Sequence, residues 1–450
     1  MTDIFNMDGY DEVEKLTNQI QQNLKLSELN YKLIDDQNNA VGEEESPTDY
    51  FPEKSRPIKI SNNRPRRKSS IVSSYEVNIN DSYTSSLIIN KNEESFYKPK
   101  LSDFEPIKVL GKGSYGKVLL VREVATGKLY AQKQLKKASL IINEETNEIN
   151  HKNYQRTMNE KQILEMVNHQ NIVKLFYAFQ DNNKLYLILE YLDGGELFHH
   201  LAMEKFMSEK NASFYIAQMS LALYYLHKKL KVIYRDLKPE NCMLNSKGHL
   251  VLTDFGLSKV SSEYESINSM TGTAQYMAPE VLSGESYDYL VDWWSLGCVA
   301  FDLLTGQPPF TGNNHKKILE KIKNSKKNLK FPFYLSLDAK DLLRRLLQQN
   351  ANKRFQVDEE FENFKKHRFF RYVDWNQLEN IGDDSDLLPP ILPIITDPIL
   401  AENFDSDFTE MNFTPQNITT KEDILHLNGF SYTNTKFLDF TFRSKTDKID

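Results

Sequence analysis

Residues 234–241 read Tyr-Arg-Asp-Leu-Lys-Pro-Glu-Asn, and residues 249–256 read His-Leu-Val-Leu-Thr-Asp-Phe-Gly. The first stretch gathers Asp236, Lys238 and Asn241 within six residues, beside Pro239. The proline ring and its missing N–H prevent a regular helix there, so these side chains are expected on a loop. The second stretch sets Asp254 after a strand-like run, eighteen residues beyond Asp236. Asn241 and Asp254 offer the oxygen donors that Mg²⁺ prefers, carboxylate and carbonyl. Asp236 suits a place near an incoming hydroxyl, and Lys238 can balance charge on a transferred group. Any one of these residues has an ordinary surface explanation; their order along the chain is the informative feature.

Working back toward the N-terminus, Gly111-Lys112-Gly113-Ser114-Tyr115-Gly116 has G-x-G-x-x-G spacing. Glycines at such a loop let backbone N–H groups approach phosphates closely. In a dinucleotide site the glycines close a strand and open a helix. Here Lys117-Val118-Leu119-Leu120-Val121 follows at once, so the loop joins two strands. The same run fits G-x-x-x-x-G-K, but Val118 stands where that motif needs a hydroxyl for magnesium. Lys133 follows seventeen residues after Gly116, inside a strand pattern with apolar neighbours. A lysine in a half-buried strand is costly unless an anion meets it. Glu160, with Leu164 four residues on along one helix face, is a candidate partner.

The set of glycine loop, strand lysine, helix glutamate, Asp/Lys/Asn loop and Asp-Phe-Gly resembles the eukaryotic protein kinase signature. The resemblance extends to Ala278-Pro279-Glu280, Asp292–Gly297 and Arg354, which in the family pairs with the glutamate of the first of these. It implies an α+β, bilobal fold, with a β-rich small lobe and a mainly helical large lobe. It also implies an ATP- and Mg²⁺-dependent enzyme. Leu110, Val118, Ala131 and Met243 would sandwich adenine, Gly111–Lys117 would cover the phosphates, and Leu189 would be the gatekeeper. Glu190 and Leu192 would supply hinge hydrogen bonds, and Glu196 would reach the ribose. Lys133 would hold the α- and β-phosphates and pair with Glu160; Asn241 and Asp254 would bind Mg²⁺; Asp236 would accept the hydroxyl proton, aided by Lys238.

Tyr234, in place of the usual histidine, is similar to the AGC group of serine/threonine kinases, as are Lys184–Phe198 and Thr271–Leu282. The tail supports that branch. Leu387–Pro393, Ala401–Glu410, Thr414-Pro415 and Leu427-Asn428-Gly429-Phe430-Ser431-Tyr432 follow in order. The last resembles the F-x-x-F-S/T-F/Y hydrophobic motif, with Leu427 for the first Phe. Ser269, Thr414 and Ser431 are the phosphosites this implies, and Arg235 would receive the Ser269 phosphate. Upstream kinases of the phosphoinositide-dependent and TOR-like kinds are the implied partners, in nutrient and growth signalling. The tail is most like the branch that phosphorylates a small-subunit ribosomal protein, with Akt-like and glucocorticoid-regulated branches as rivals. Glu196, Glu240 and Asp302 match positions that read arginines, so R-x-R-x-x-S/T-like protein substrates are expected. The chain holds such a sequence at Arg64–Ser69. A non-catalytic scaffold would need Lys133, Asp236 or Asp254 lost, and all three are present.

The rest of the chain sets the frame. Residues 1–100 are Asn-, Ser- and acid-rich without sustained period and read as mostly disordered. Residues 104–370 are densely patterned, strands first and helices later, which excludes a doubly wound parallel sheet. Residues 371–450 read as a strap laid over the globular part. Net charge is −7, from 63 acids against 56 bases, so no bulk attraction to nucleic acid or anionic membrane is expected. Two cysteines, Cys242 and Cys298, build no disulfide framework and point to a reducing compartment. The acidic N-terminus lacks a signal peptide, and Leu387–Leu400 carries four prolines and cannot span a bilayer. A cytoplasmic monomer, with the nucleus as second location, is the expectation.

Overall fold

The computed structural model describes residues 99–113, 116–141, 151–201, 205–260, 274–381, 387–411 and 440–443. The chain divides into two units, Met1–Ser70 and Ile71–Asp450. Every described residue belongs to the second. Ser114, Tyr115, Ser269, Thr414 and Ser431, with Arg64–Ser69, lie outside the described residues.

The small lobe is built on an antiparallel sheet. Its strands are β1 (Phe104–Gly113), β2 (Gly116–Glu123) and β3 (Leu129–Lys136), then β4 (Leu175–Gln180) and β5 (Lys184–Glu190). Their order is β1-β2-β3-β5-β4, with the late strand Phe442–Arg443 added beyond β4. The turn between β2 and β3 is made at Gly127, whose φ of 73° suits glycine. Between β3 and β4 run α1 (Lys137–Ile141) and α2 (His151–Met166). Register puts Val118 opposite Lys133 and Lys133 opposite Leu187, with Leu120, Ala131 and Leu189 aligned in the same way. These residues therefore share one face, which carries the cleft.

The large lobe follows β6 (Gly195–Glu196) and α3 (Leu197–Leu201). Helix α4 (Glu209–Tyr225) starts where Ser208 accepts a hydrogen bond from the Asn211 N–H. It ends in a π-turn over Leu226–Leu230, closed by Lys231 in the left-handed region. The chain then forms β7 (Val232–Ile233), β8 (Cys242–Leu244), β9 (Leu250–Leu252) and β10 (Lys259–Val260). After α5 (Pro279–Ser283), helix α6 (Leu290–Thr305) buries every side chain from Leu290 to Leu304. A helix buried on all sides lies inside, and α6 is the axis of this lobe. Around it lie α7 (His315–Lys323), α8 (Ser325–Asn328), α9 (Leu337–Leu346), α10 (Phe361–Lys365) and α11 (Trp375–Glu379).

Residues 387–411 run back up the molecule to α12 (Ser406–Thr409), whose Phe408 packs against the small-lobe sheet. A Cβ on Gly248 would meet the Ile391 carbonyl oxygen at 2.0 Å, and one on Gly195 the Asn403 oxygen at 2.1 Å. Both glycines also have positive φ. Glycine is required at each because the strap crosses there. Antiparallel pairing throughout the sheet, with the helices segregated beyond it, is the expected α+β, two-lobed architecture.

Candidate active site

Asp292, near the start of the buried α6, organises the loop below the cleft. Its carboxylate accepts the backbone N–H groups of Tyr234 and Arg235, both at 2.7 Å. Arg235 is held at φ 63° and Asp254 at φ 57°. Such conformations cost a non-glycine residue free energy and mark a segment whose shape serves function. The Tyr234 hydroxyl donates to the Thr253 carbonyl, and its ring packs 5.1 Å from Phe255. The two loops are thus fastened to each other before any ligand is considered.

On that base the polar side chains converge. Lys133 Nζ lies 2.6 Å from Glu160 Oε1 and 3.1 Å from Asp254 Oδ1. Burial alone would lower the Lys133 pKa, but the carboxylates of Asp254 and Glu160 outweigh it and hold the ammonium charged. Burial pushes the Glu160 carboxyl upward while Lys133 pulls it down. The 2.6 Å contact and the charged lysine make this an ion pair. Asp254 is held below the usual carboxylate range, first by the Lys133 charge. Asp236 accepts from Lys238 Nζ and from Asn241 Nδ2, each at 2.9 Å. Its pKa is raised, mainly by burial, against the pull of Lys238.

The donor set fits a small hard cation. Asn241 Nδ2 donates to Asp236 at two oxygens, which leaves Oδ1 as an acceptor-type ligand. Among the described residues no three His, Cys, Asp or Glu side chains form a metal cage. An amide oxygen and one carboxylate are what Mg²⁺ takes from a protein when phosphates and water complete its shell. At the cleft roof, a Cβ on Gly111 or Gly113 would meet nothing within 4 Å, so chain packing does not demand either glycine. Gly116 differs: its Cβ would sit 1.7 Å from the Gln134 carbonyl oxygen.

Leu110, Val118 and Ala131 share one apolar cluster with Tyr191. Leu189 and Met243 flank the larger core below. Beyond the loop, Glu196 and Glu240 are exposed and Asp302 is buried. Burial raises the pKa of Glu196 and of Asp302, and the charge of Glu240 raises both further. The three carboxylates therefore form one negative patch. Arg235 Nε donates to the Leu257 carbonyl at 2.6 Å and Nη1 to the Tyr287 hydroxyl at 2.9 Å. Below, Arg354 meets Glu280 at 2.7 and 3.0 Å.

The protein kinase domain profile matches residues 104–370. The chain belongs to the protein kinase family. It is 42% identical over 413 residues to serine/threonine-protein kinase YPK3 of Saccharomyces cerevisiae, covering 80% of this chain and 78% of that protein. Ribosomal protein S6 kinase alpha-2 of Mus musculus is 42% identical over 352 residues, 77% of this chain and 46% of that one. Ribosomal protein S6 kinase alpha-1 of Homo sapiens is 44% identical over 313 residues, 68% and 40%. The chain spans less than half the length of these two S6 kinases. With these relatives, the kinase is an AGC-type serine/threonine-protein kinase. Among the described residues no helix is long and apolar enough to cross a membrane.

The strap brings residues to the kinase cleft that sequence reasoning did not single out. Phe404 and Ala401 join the cluster of Leu110, Val118 and Ala131, and Phe404 stacks on Tyr191 at 5.9 Å. Tyr191 also donates to the Pro398 carbonyl at 2.9 Å, and Lys108 Nζ to the Leu400 carbonyl at 2.9 Å. At the far edge Phe440 is fully buried, Thr441 is exposed, and β11 (Phe442–Arg443) pairs with Ala178 and Tyr177 of β4. Phe437-Leu438-Asp439-Phe440-Thr441-Phe442 fits F-x-x-F-S/T-F/Y at every position, so the signal was present in the sequence.

Proposed function

We propose that this kinase transfers the γ-phosphoryl group of ATP to serine or threonine in proteins of R-x-R-x-x-S/T-like sequence. The reading rests on one observation: Lys133 bridges Glu160 and Asp254, while Asp236 and Asn241 bond one another in the adjoining loop. Lys133 binds the α- and β-phosphates. Leu110, Val118, Ala131, Phe404 and Met243 enclose the adenine, Leu189 limits its depth, and Glu190 and Leu192 face its edge. Gly111–Val118 covers the phosphates through backbone donors. Asn241 and Asp254 hold Mg²⁺, which neutralises phosphate charge. The substrate hydroxyl oxygen forms the new bond to the γ-phosphorus as the bond to the β-phosphate oxygen breaks, and its proton passes to Asp236. Lys238 steadies the transferred group. Rate acceleration is mostly positioning and charge neutralisation. Glu196, Glu240 and Asp302 recognise substrate arginines.

Regulation follows from the same elements. Phosphate on Ser269 is received by Arg235, and Thr414 is a further tail site. The docked strand at Phe440–Arg443 favours Thr441, beside Ser431, as the switch of the hydrophobic motif, since phosphate there adds about −1.5 to −2 charge at pH 7. Upstream kinases of the phosphoinositide-dependent and TOR-like kinds would supply these phosphates in growth signalling. Residues 104–370 are the catalytic domain and 371–450 its regulatory tail. The test is phosphate transfer from labelled ATP to a R-x-R-x-x-S peptide. Wild type is expected to be active, Asp236→Ala to fall at least about 10³-fold, and an acidic peptide to be a poor substrate. Equal activity of wild type and Asp236→Ala would overturn the reading.

A further inference from the structure

Where α9 begins, the large lobe turns an aromatic cluster to solvent. Phe333 is 94% exposed and Leu337 82%, and Phe206 and Tyr334 are exposed as well. The Phe206 and Tyr334 rings stack at 5.5 Å, and Phe333 meets Tyr334 edge-on at 5.9 Å. Single exposed apolar residues are ordinary, but a contiguous group marks an interaction surface. The backbone holds these side chains out firmly. Leu335 between them is buried, and Ser336 donates its N–H and its hydroxyl to the Glu209 carboxylate at 2.7 and 2.6 Å. Lys205, just before Phe206, sits at φ 68°, and Met207, just after it, donates to the Leu303 carbonyl at 2.7 Å. A left-handed lysine is strained and persists only where its surroundings impose it. Gly306 permits that path, since a Cβ there would meet the Lys205 carbonyl oxygen at 2.3 Å.

The charges that lead to this cluster have one sign. Residues 316–330, through α7 and α8, hold seven lysines against one acid, Glu320, and every one of the seven is exposed. The last of them, Lys330, stands three residues before Phe333. Lys340 Nζ donates to the Phe333 carbonyl at 3.2 Å, and Lys205 adjoins Phe206. The two carboxylates beside the cluster are engaged, Glu209 with Ser336 and Asp338 with Arg371 at 3.1 Å. We infer that this surface docks on an anionic lipid membrane. Phe333 and Leu337 enter the boundary between headgroups and acyl chains, and the lysines meet acidic headgroups. Side chains that stand out from the surface suit a fluid partner, whereas a peptide's anchors need a pocket to fill. The whole chain carries −7, so the attraction is local and fades beyond about 10 Å at 0.1 M salt. Such docking needs no spanning helix. None of the residues assigned to nucleotide, metal or peptide lies in the patch, so the inference does not depend on the proposed chemistry.

The test uses the full-length chain and needs no activity. Wild type, Phe333→Ser/Leu337→Ser and Lys326→Gln/Lys327→Gln/Lys330→Gln are sedimented with vesicles of phosphatidylcholine, alone or mixed with phosphatidylserine. All the altered side chains are exposed, so both variants should melt within about 2 °C of wild type. Wild type is expected to bind the mixed vesicles at least about 10-fold more tightly than the neutral ones, and to be released by salt. Each variant should lose about 10-fold of that binding. Equal binding of wild type to both vesicles, or full binding by the Phe333/Leu337 variant, would overturn the inference. No vesicle binding, with capture of wild type alone by immobilised poly(Glu,Tyr), would overturn it and assign the patch to an acidic protein segment.

Discussion

Arg354 and Glu280 stand 74 positions apart and meet in a two-pronged ion pair at 2.7 and 3.0 Å. The arginine side chain is fully buried and the glutamate nearly so. Arg354 also donates to the Leu290 carbonyl and lies 5.2 Å from the Trp294 ring. The pair ties α5, which follows the substrate platform, to the core around α6. Arg354→Ala leaves Glu280 buried without its counter-charge and is expected to cost about 3–5 kcal/mol, measured by denaturant unfolding. Arg354→Lys should recover little of it, because one ammonium cannot reproduce the fork or the ring contact.

His227 links the same core to the catalytic loop. Its Nε2 meets Asp292 at 2.9 Å and its Nδ1 meets Asp358 at 3.0 Å. Burial lowers the imidazole pKa, but the hydrogen bonds and charges of the two aspartates raise it, to about 9 in all. A raised folded-state value means the stabilisation is fully present below the unfolded value near 6.5 and is lost as pH climbs through about 9. That corresponds to about 3 kcal/mol across the window. Unfolding free energy followed from pH 6 to 10 should decline accordingly, and His227→Gln should flatten the decline.

The glycine loop offers a separation of packing from ligand contact. Gly116→Ala drives a methyl into the Gln134 carbonyl oxygen, so both stability and activity should fall. Gly113→Ala meets open space, so its melting temperature should stay within about 2 °C of wild type. Its KM for ATP should rise several-fold if phosphates pass beneath it. Unchanged ATP kinetics in Gly113→Ala would remove the phosphates from that position.

The sequence made Lys133, Glu160, Asp236, Asn241 and Asp254 legible because these residue types follow one another in the order of the kinase signature, from the glycine loop to Asp-Phe-Gly. The two-lobed fold was legible for a related reason: strand and helix periods occupy separate stretches. Phe404 was not legible. It is an isolated aromatic among acids, and only the strap's path over Gly195 brings it beneath the β1–β2 roof. The outer sheet face was hidden too. Gln132 and Gln134 are polar side chains of β3, yet both are buried. The burial depends on residues remote in sequence, which strand periodicity cannot register.

Phe404 therefore makes its own prediction. It stacks on Tyr191 and closes the apolar cluster of Leu110, Val118 and Ala131. Phe404→Ala should raise the KM for ATP about 10-fold, with a smaller effect on KM for the peptide, because the lost area faces the adenine side. Equal changes in both constants would place the residue outside nucleotide binding.

The far end of the tail tests whether docking there governs activity. Phe440 is wholly buried and Phe442 pairs with Ala178 of β4, while α2 on the same lobe carries Glu160. Phe440→Ala should loosen this strand and lower kcat about 10-fold, since the Glu160–Lys133 contact would be formed in a smaller fraction of molecules. Thr441→Ala should abolish any gain that an upstream kinase confers, with the apolar docking intact. If Thr441→Ala responds to the upstream kinase as wild type does while Ser431→Ala does not, the phosphate belongs on Ser431.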